Sequence, residues 1–136
     1  MNNLFNDEKL KSLAPVVLRI GMALVFFYFG YMQLTGPEKW ISFLPNFTQS
    51  LPFSQITFVL LNGWFEIIGG VMILIGVYTR IVALLLAIHL FGIAMSIGFG
   101  PLGVRDFGLS VATLGLALYG AGKFSVDNLE NKTQIQ

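Results

Sequence analysis

The chain has 136 residues, of which 55% are hydrophobic and 11% are charged, whereas about a quarter of the residues in a soluble domain are charged. A net charge of +1 provides no basic face and argues against a nucleic-acid partner. The absence of cysteine excludes thiol–disulfide exchange, thiolate metal sites and iron–sulfur clusters held by this chain. The length predicts a single domain, residues 1–136.

Four long apolar stretches fill most of the sequence. They occupy about residues 13–34, 53–78, 81–99 and 106–121. A membrane-spanning helix needs roughly 20 mostly apolar residues, and in lipid every backbone polar group must be satisfied within its own segment. The sequence therefore predicts an all-α fold, an integral membrane bundle of four transmembrane helices.

The distribution of Lys and Arg predicts the orientation of this bundle. With four spans, five basic residues fall on the side that carries both termini, and two fall on the other side. The five are Lys9, Lys11, Arg80, Lys123 and Lys132, and the two are Lys39 and Arg105. Because basic segments stay preferentially in the cytoplasm, we expect a multi-pass protein of the cell (plasma or inner) membrane with both termini cytoplasmic.

The first connection, residues 35–52, differs from the others in its length and its prolines. Apolar residues recur in it at helical spacing, namely Trp40, Phe43, Leu44 and Phe47. This spacing predicts a short amphipathic helix lying in the membrane interface between the first two spans. Such a helix is either a plug that caps the bundle or a lid over a lateral opening to lipid or to a lipophilic ligand.

Ionisable side chains occur inside the apolar stretches, where they are costly and normally face the protein interior. Counting from the helix ends places Glu66 and His89 near mid-membrane on the second and third helices. A tight turn at 77–80 joins these helices in an antiparallel hairpin, so the two side chains can face each other. Asn62 lies one turn before Glu66 on the same helical face and can hydrogen-bond it. The group is either a polar clamp for helix packing or a proton-handling or ligand-binding site.

Arg19 lies in the first stretch, four residues after Pro15. Its guanidinium stays charged, so it must reach the headgroups or find a partner. Two interpretations stay open, snorkelling to the inner headgroups and an extended or water-mediated pair with Glu66. Arg105 and Asp106 open the fourth stretch, where an Asp is favoured as a helix cap.

Three groups of residues in chain order carry a family resemblance. The first group, on the first helix, is Arg19, Ala23, Phe26, Gly30, Gln33 and Leu34. The second group, on the second helix and the turn after it, is Glu66, Gly69, Gly70, Leu74, Gly76, Thr79 and Arg80. The third group follows the last helix and reads Gly120-Ala-Gly-Lys-Phe-Ser-Val-Asp127. Over about residues 19–127 the chain resembles the DoxX family of small four-helix membrane proteins. Members of this family often carry Lys where Gln33 stands, and the difference removes a cation that a ligand or partner could use.

The resemblance implies a fold more firmly than an activity, because the family is functionally diverse. Relatives include the small membrane subunit of a thiosulfate:quinone oxidoreductase and membrane partners in redox-stress complexes. The resemblance therefore implies a non-catalytic or quinone-linked subunit of a membrane oxidoreductase. It places Arg19, Glu66 and His89 near a quinone. The cavity would then be lined by Phe26, Tyr31 and Trp64.

Two other functions stay open. Glu66 and His89 at mid-membrane also suit a small-solute or proton transporter or channel, and the small size suits an assembly factor for other membrane proteins. The sequence has no catalytic constellation and no metal-ligand cluster, and its single His cannot supply two axial haem ligands. The partners to expect are the lipid bilayer, an oxidoreductase or another membrane protein, and a second copy of the chain.

Overall fold

The computed structural model describes residues 8–133, and the regular secondary structure in this range is helical throughout. The α-helices within it are α1 (Glu8–Thr35), α2 (Gln55–Ile75), α3 (Thr79–Ile97), α4 (Pro101–Tyr119) and α5 (Val126–Thr133). Helices α1 to α4 are long and apolar enough to cross a membrane. The prediction of an all-α fold with four spanning helices is confirmed.

Two helix boundaries differ from the predicted ones for a local reason. Helix α2 ends at Ile75 rather than 78, because Gly76 adopts the left-handed conformation (φ +75°) and the Val77 amide donates to the Met72 carbonyl over 3.0 Å, as in a Schellman cap. Helix α4 begins at Pro101 rather than 106, because a proline fits the first helical turn, where an amide proton would have no partner.

The spanning helices form two close pairs, α1 with α2 and α3 with α4. Helices α2 and α3 are joined by the predicted tight turn, residues 76–78, but they pack less closely than either pair. The expected α2–α3 hairpin is therefore the looser seam of the bundle. The central apolar side chains come from all four spans and include Met22, Phe26, Ile73, Leu86, Leu90 and Leu116.

Helices α1 and α2 cross at two glycines whose backbones approach closely. A methyl group on Gly30 would lie 2.8 Å from the carbonyl oxygen of Gly63, and one on Gly63 would lie 3.0 Å from that of Gly30. Small residues permit such crossings in membrane helices. Each glycine precedes a polar residue by three positions, Gln33 on α1 and Glu66 on α2, so the crossing brings these side chains within reach of each other.

The connection between α1 and α2 forms two short 3-10 helices, Pro37–Phe43 and Asn46–Ser50, instead of the single amphipathic helix predicted. Leu44 and Pro45 between them are extended. The residue before a proline is disfavoured in the helical conformation, and this breaks the segment in two. Residues 37–50 are hereafter the 3-10 segment, and the end of the bundle that it covers is the 3-10 end.

Side-chain contacts attach the 3-10 segment to the bundle. The Gln55 amide nitrogen donates to Thr48 Oγ1 over 3.1 Å, and Thr48 is buried. The Trp40 ring packs edge-on against Phe29 of α1, with 5.9 Å between centroids. The segment is therefore held over the bundle by contacts to both α1 and α2, while its location in a membrane interface stays a prediction.

Helix α5 closes the opposite end of the bundle, hereafter the α5 end. Asp127 Oδ1 accepts from the Tyr78 amide over 2.7 Å, and its Oδ2 accepts from the Thr79 amide over 2.9 Å. These bonds satisfy amides at the start of α3, which would otherwise lack partners. The Asp127 amide donates to the Gly76 carbonyl over 3.0 Å. The α2–α3 turn and α5 therefore form one hydrogen-bonded unit.

Candidate functional site

Glu66 lies at the centre of a buried polar network inside the bundle. The residue is only 2% exposed, and both of its carboxylate oxygens are hydrogen-bonded. Oε2 accepts from Gln33 Nε2 over 3.2 Å, while Oε1 accepts from Asn62 Nδ2 over 3.2 Å and lies 3.2 Å from His89 Nε2. A carboxylate among spanning helices needs such partners, because an unpaired buried charge is strongly unfavourable. The facing arrangement of Glu66 and His89, and the bond to Asn62, are present as predicted.

Gln33 completes this network, although sequence reasoning did not include it among the site residues. It is 4% exposed, and its Oε1 accepts from Asn62 Nδ2 over 2.7 Å while its amide nitrogen donates to Glu66. Two signals pointed to it. It lies seven residues after Phe26, on the same helical face, and family members often carry a cation at this position. Gln33, Asn62, Glu66 and His89 are hereafter the polar network.

His89 is a partly exposed member of the polar network, and another molecule can reach it. Its side chain is 18% exposed, against 3% for that of Glu66. When Glu66 is ionised, its carboxylate only accepts hydrogen bonds, and the His89 tautomer that bonds it carries its proton on Nε2. The other ring nitrogen, Nδ1, has no hydrogen-bond partner within residues 8–133. The Phe65 ring packs edge-on against the imidazole at 5.1 Å and fixes its orientation.

A cavity of about 490 Å³ extends from the polar network towards the 3-10 end. This volume is in the usual range for small-molecule sites, about 300–1,000 Å³. Its aromatic wall consists of Phe26, Phe29, Trp40, Phe43, Phe47 and Phe58. An apolar chamber with a few convergent polar groups at one end suits a flat, lipophilic molecule.

Arg105 and Asp106 of α4 also line the cavity, nearer the 3-10 end. Asp106 is 4% exposed, and its Oδ1 accepts from Arg105 Nε and Nη2, each over 2.8 Å. The guanidinium lies over the Phe29 ring, 4.8 Å from its centroid, and so connects α4 to α1. Because α4 begins at Pro101, Asp106 is a buried member of an ion pair and not the helix cap that its position in the sequence suggested.

Of the three predicted cavity-lining aromatics, Phe26 lines the cavity, whereas Tyr31 and Trp64 do not. Tyr31 is 62% exposed and Trp64 is 55% exposed, on the outer faces of α1 and α2. Each precedes a network residue by two positions, Gln33 and Glu66 respectively. Two residues turn about 200° around an α-helix, so these side chains point away from the network. The structure corrects the prediction at both positions.

Arg19 does not join the polar network. Its guanidinium lies at the α5 end, where Nη1 donates to the Ala121 carbonyl over 2.7 Å and Nη2 donates to the carbonyls of Leu74 and Phe124, each over 3.0 Å. The residue is 3% exposed, so neither the snorkelling arrangement nor the pair with Glu66 occurs. Carbonyls at helix ends lack intrahelical partners, and a guanidinium can satisfy several of them at once. Arg19 therefore joins the end of α2 to the α4–α5 connection.

These features define a class of protein, a four-helix transmembrane bundle with a Gln–Asn–Glu–His network below an aromatic cavity. The DoxX family model matches residues 14–98, more than half of the chain, and the chain belongs to the DoxX family. The matched residues contain α2, α3 and the whole polar network. No curated protein and no solved structure matches this chain. The family and the four apolar spans together make it a multi-pass membrane protein.

Proposed function

We propose that this DoxX-family protein is a non-catalytic, quinone-linked subunit of a membrane oxidoreductase. The observation that carries this proposal is the position of the polar network at the end of an aromatic cavity between membrane-spanning helices. A quinone is a flat, lipid-soluble ring whose oxygens accept hydrogen bonds, and its reduced form, the quinol, donates them. The cavity supplies aromatic faces for packing and, at its end, both hydrogen-bond donors and hydrogen-bond acceptors.

The polar network has unused hydrogen-bonding capacity for each form of the ring. Gln33 Nε2 donates one proton to Glu66, and its second proton is available to a quinone carbonyl. His89 Nδ1 accepts when Nε2 is protonated, and it can take a hydrogen bond, or the proton itself, from a quinol hydroxyl. The Glu66 carboxylate next to it stabilises the imidazolium that results. The residues of this chain thus bind the ring and handle its proton.

Oxidation of a quinol releases electrons as well as protons, and the electrons need another acceptor. This chain has no cysteine to ligate an iron–sulfur cluster, and its single histidine cannot supply both axial ligands of a bis-histidine haem. We therefore assign electron transfer to a partner oxidoreductase in the same membrane.

The two tryptophans permit a direct binding test, because Trp40 lines the cavity and Trp64 faces outwards. In the purified Trp64→Phe protein, titration with a short-tailed benzoquinone is expected to quench Trp40 fluorescence saturably. The Trp40→Phe protein is the matched control, and its remaining Trp64 is expected to show only linear, collisional quenching. A linear response from both proteins would overturn the proposal.

A second step tests the polar network itself. Glu66→Gln, placed in the Trp64→Phe background, is expected to weaken quinone binding about tenfold, because the hydrogen bonds of the carboxylate to Gln33 and His89, each contributing ~1.5–3 kcal/mol, hold these two side chains in position for the ring. Glu38→Gln, an exposed position in the 3-10 segment, is the control and is expected to bind normally. Proton or solute flux in proteoliposomes that depends on Glu66, without quinone binding, would favour the transporter function instead.

The partner is tested by native mass spectrometry of the protein extracted with its lipids. Co-purification of an oxidoreductase subunit, together with bound quinone, would support the proposed role. Loss of an unrelated membrane protein on deletion of this chain, with no quinone bound to the purified protein, would favour the assembly-factor function.

A further inference from the structure

The cavity opens to the outside of the bundle along one face of α3. Ile88, Gly92 and Ser96 line the cavity, and all three are also exposed at the molecular surface, Ile88 to 60%. They are spaced four residues apart and so form one stripe along the helix. Residues that border a cavity and the exterior at the same time mark an opening between the two.

This opening lies at the α2–α3 seam. His89, the neighbour of Ile88, is hydrogen-bonded to Glu66, which identifies the side of α3 that faces α2. Phe58 and Asn62 of α2 line the same cavity from across the seam. Both helices are apolar enough to span a membrane. The opening therefore faces the hydrocarbon region and gives a path between lipid and the polar network.

Gly92 is at the centre of the exposed stripe. A methyl group placed on it would meet no atom within 4 Å, and the residue is part of the regular helix α3. Its lack of a side chain therefore keeps the opening wide and serves no helix contact. A larger residue at this position would project into the opening.

The volume of the cavity indicates what must pass through this opening. About 490 Å³ holds a molecule of drug size, which is enough for a quinone ring but too small for a ring with many isoprene units. We infer that a quinone with a long isoprenoid tail binds with its ring at the polar network and with its tail passing Gly92 into lipid. The inference rests on the proposed function, and it makes Gly92 a specificity-determining residue for tailed ligands.

The test uses the Trp64→Phe protein and two ligands, a benzoquinone without a tail and the same ring with a long isoprenoid tail. Gly92→Leu is expected to raise the apparent Kd of the tailed ligand by about tenfold or more, because the leucine occupies the path of several buried methylenes. Binding of the tailless ring is expected to stay unchanged. Gly108→Leu on α4 is the matched control, since that glycine is also exposed with open space around it but does not line the cavity.

Each other outcome has a definite meaning. Unchanged binding of the tailed quinone to Gly92→Leu would overturn the tail path and leave the quinone site intact. Equal weakening of both ligands would also overturn the tail path, since the leucine would then occupy the space of the ring. Absence of Trp40 quenching by either ligand in the Trp64→Phe protein would overturn the quinone site and the tail path together. Ser96→Leu, one turn along the same stripe, is a second variant with the same expected result.

Discussion

At the scale of single residues, Glu66 places a carboxyl group where the surrounding lipid cannot solvate it. Gln33, Asn62 and His89 replace the lost water with N–H donors aimed at the two carboxylate oxygens. Removal of one partner of a buried charge costs more than the bond itself contributes, because the charge is left unsatisfied. The stability of the bundle is therefore expected to depend on each member of the polar network.

Replacement of Gln33 tests this dependence. Gln33→Leu is expected to lower the free energy of unfolding by ~1–3 kcal/mol, because Glu66 Oε2 loses its donor and Asn62 loses an acceptor. Gln33→Lys, which supplies a cation to the carboxylate, is expected to retain more of the stability. The measurement is reversible unfolding in detergent, with the exposed Gln49→Leu as control. Equal stability of Gln33→Leu and the wild type would contradict the structural importance of the network.

Arg19 stabilises the fold through the geometry of its side chain, which donates hydrogen bonds to several backbone carbonyls at once. The planar guanidinium presents donors in fixed directions, and two of its nitrogens reach three carbonyls in two separate parts of the chain, the end of α2 and the α4–α5 connection. A lysine has a single ammonium on a flexible stem and cannot reproduce this arrangement. The charge is therefore at this position for structural reasons, at a distance from the cavity.

Substitution of Arg19 distinguishes a structural role for this residue from a role in the quinone site. Arg19→Ala is expected to lower the free energy of unfolding by ~3 kcal/mol or more, and Arg19→Lys is expected to restore only part of it. Arg80→Ala is the control, because Arg80 is exposed and its bond to the Tyr119 carbonyl is long, 3.4 Å; its effect is expected to stay within ~0.5 kcal/mol. Quinone affinity is expected to be unchanged in folded Arg19→Lys. A loss of affinity at normal stability would instead place Arg19 in the site.

At the scale of helices, the α1–α2 crossing determines which side chains can meet. Gly30 and Gly63 permit backbone contact one turn from Gln33 and Glu66. With larger residues the two helices would be held farther apart, and the 3.2 Å bond between the amide and the carboxylate would lengthen. The polar network is therefore a consequence of the helix crossing as much as of its own residues.

A matched pair of glycine substitutions on α1 tests the crossing. Gly30→Ala is expected to cost ~1–3 kcal/mol of stability, because its methyl group would lie 2.8 Å from the Gly63 carbonyl oxygen and from Ile67 Cγ1. Gly21→Ala is expected to be neutral or slightly stabilising, since no atom lies within 4 Å of the added methyl group. Thermal unfolding in detergent measures both. A Gly30→Ala protein as stable as Gly21→Ala would show that the helices do not cross closely at this point.

The sequence predicts the helices, and those side-chain contacts within a helix that follow helical periodicity. Apolar runs of sufficient length predict the four spans, and the spacing of four predicts the bond between Asn62 and Glu66. The prediction that Tyr31 and Trp64 line the cavity rests on residue type alone, and their helical positions turn both side chains away from the polar network.

Other features leave no periodic signal in the sequence. The acceptors of Arg19 are backbone carbonyls, and Ala121 lies 102 residues away, so no residue type or spacing identifies them. The spacing of apolar residues in the 3-10 segment also fits an α-helix, and only the extended conformation around Pro45 separates the two short helices. These parts of the structure depend on tertiary packing, and the sequence alone could not predict them.

At the scale of the whole molecule, the two ends of the bundle are chemically unlike. The 3-10 end carries aromatic residues over the cavity, and the α5 end carries the hydrogen-bonded unit around Asp127 and Arg19. The distribution of Lys and Arg predicts that the α5 end lies in the cytoplasm. With this orientation, the cavity lies closer to the outer face of the membrane than to the inner one.

Single introduced cysteines test this orientation, because the chain has none of its own. Gln49→Cys at the 3-10 end and Lys123→Cys at the α5 end are both exposed positions. A membrane-impermeant maleimide is expected to label position 49 in intact cells and position 123 only after permeabilisation. The opposite pattern would invert the orientation without changing the fold.

The bonds of Arg19 also have a consequence for the time course of synthesis. Arg19 is in the first spanning helix, whereas Ala121 and Phe124 follow 102 and 105 residues later. A ribosome adding ~5–20 residues per second needs about 5–20 s for that interval. During this time the first helix is already available for insertion, but of the three carbonyls that accept from its guanidinium only that of Leu74, 55 residues after Arg19, has been made. The final placement of the first helix therefore waits for residues 121–124 to leave the ribosome.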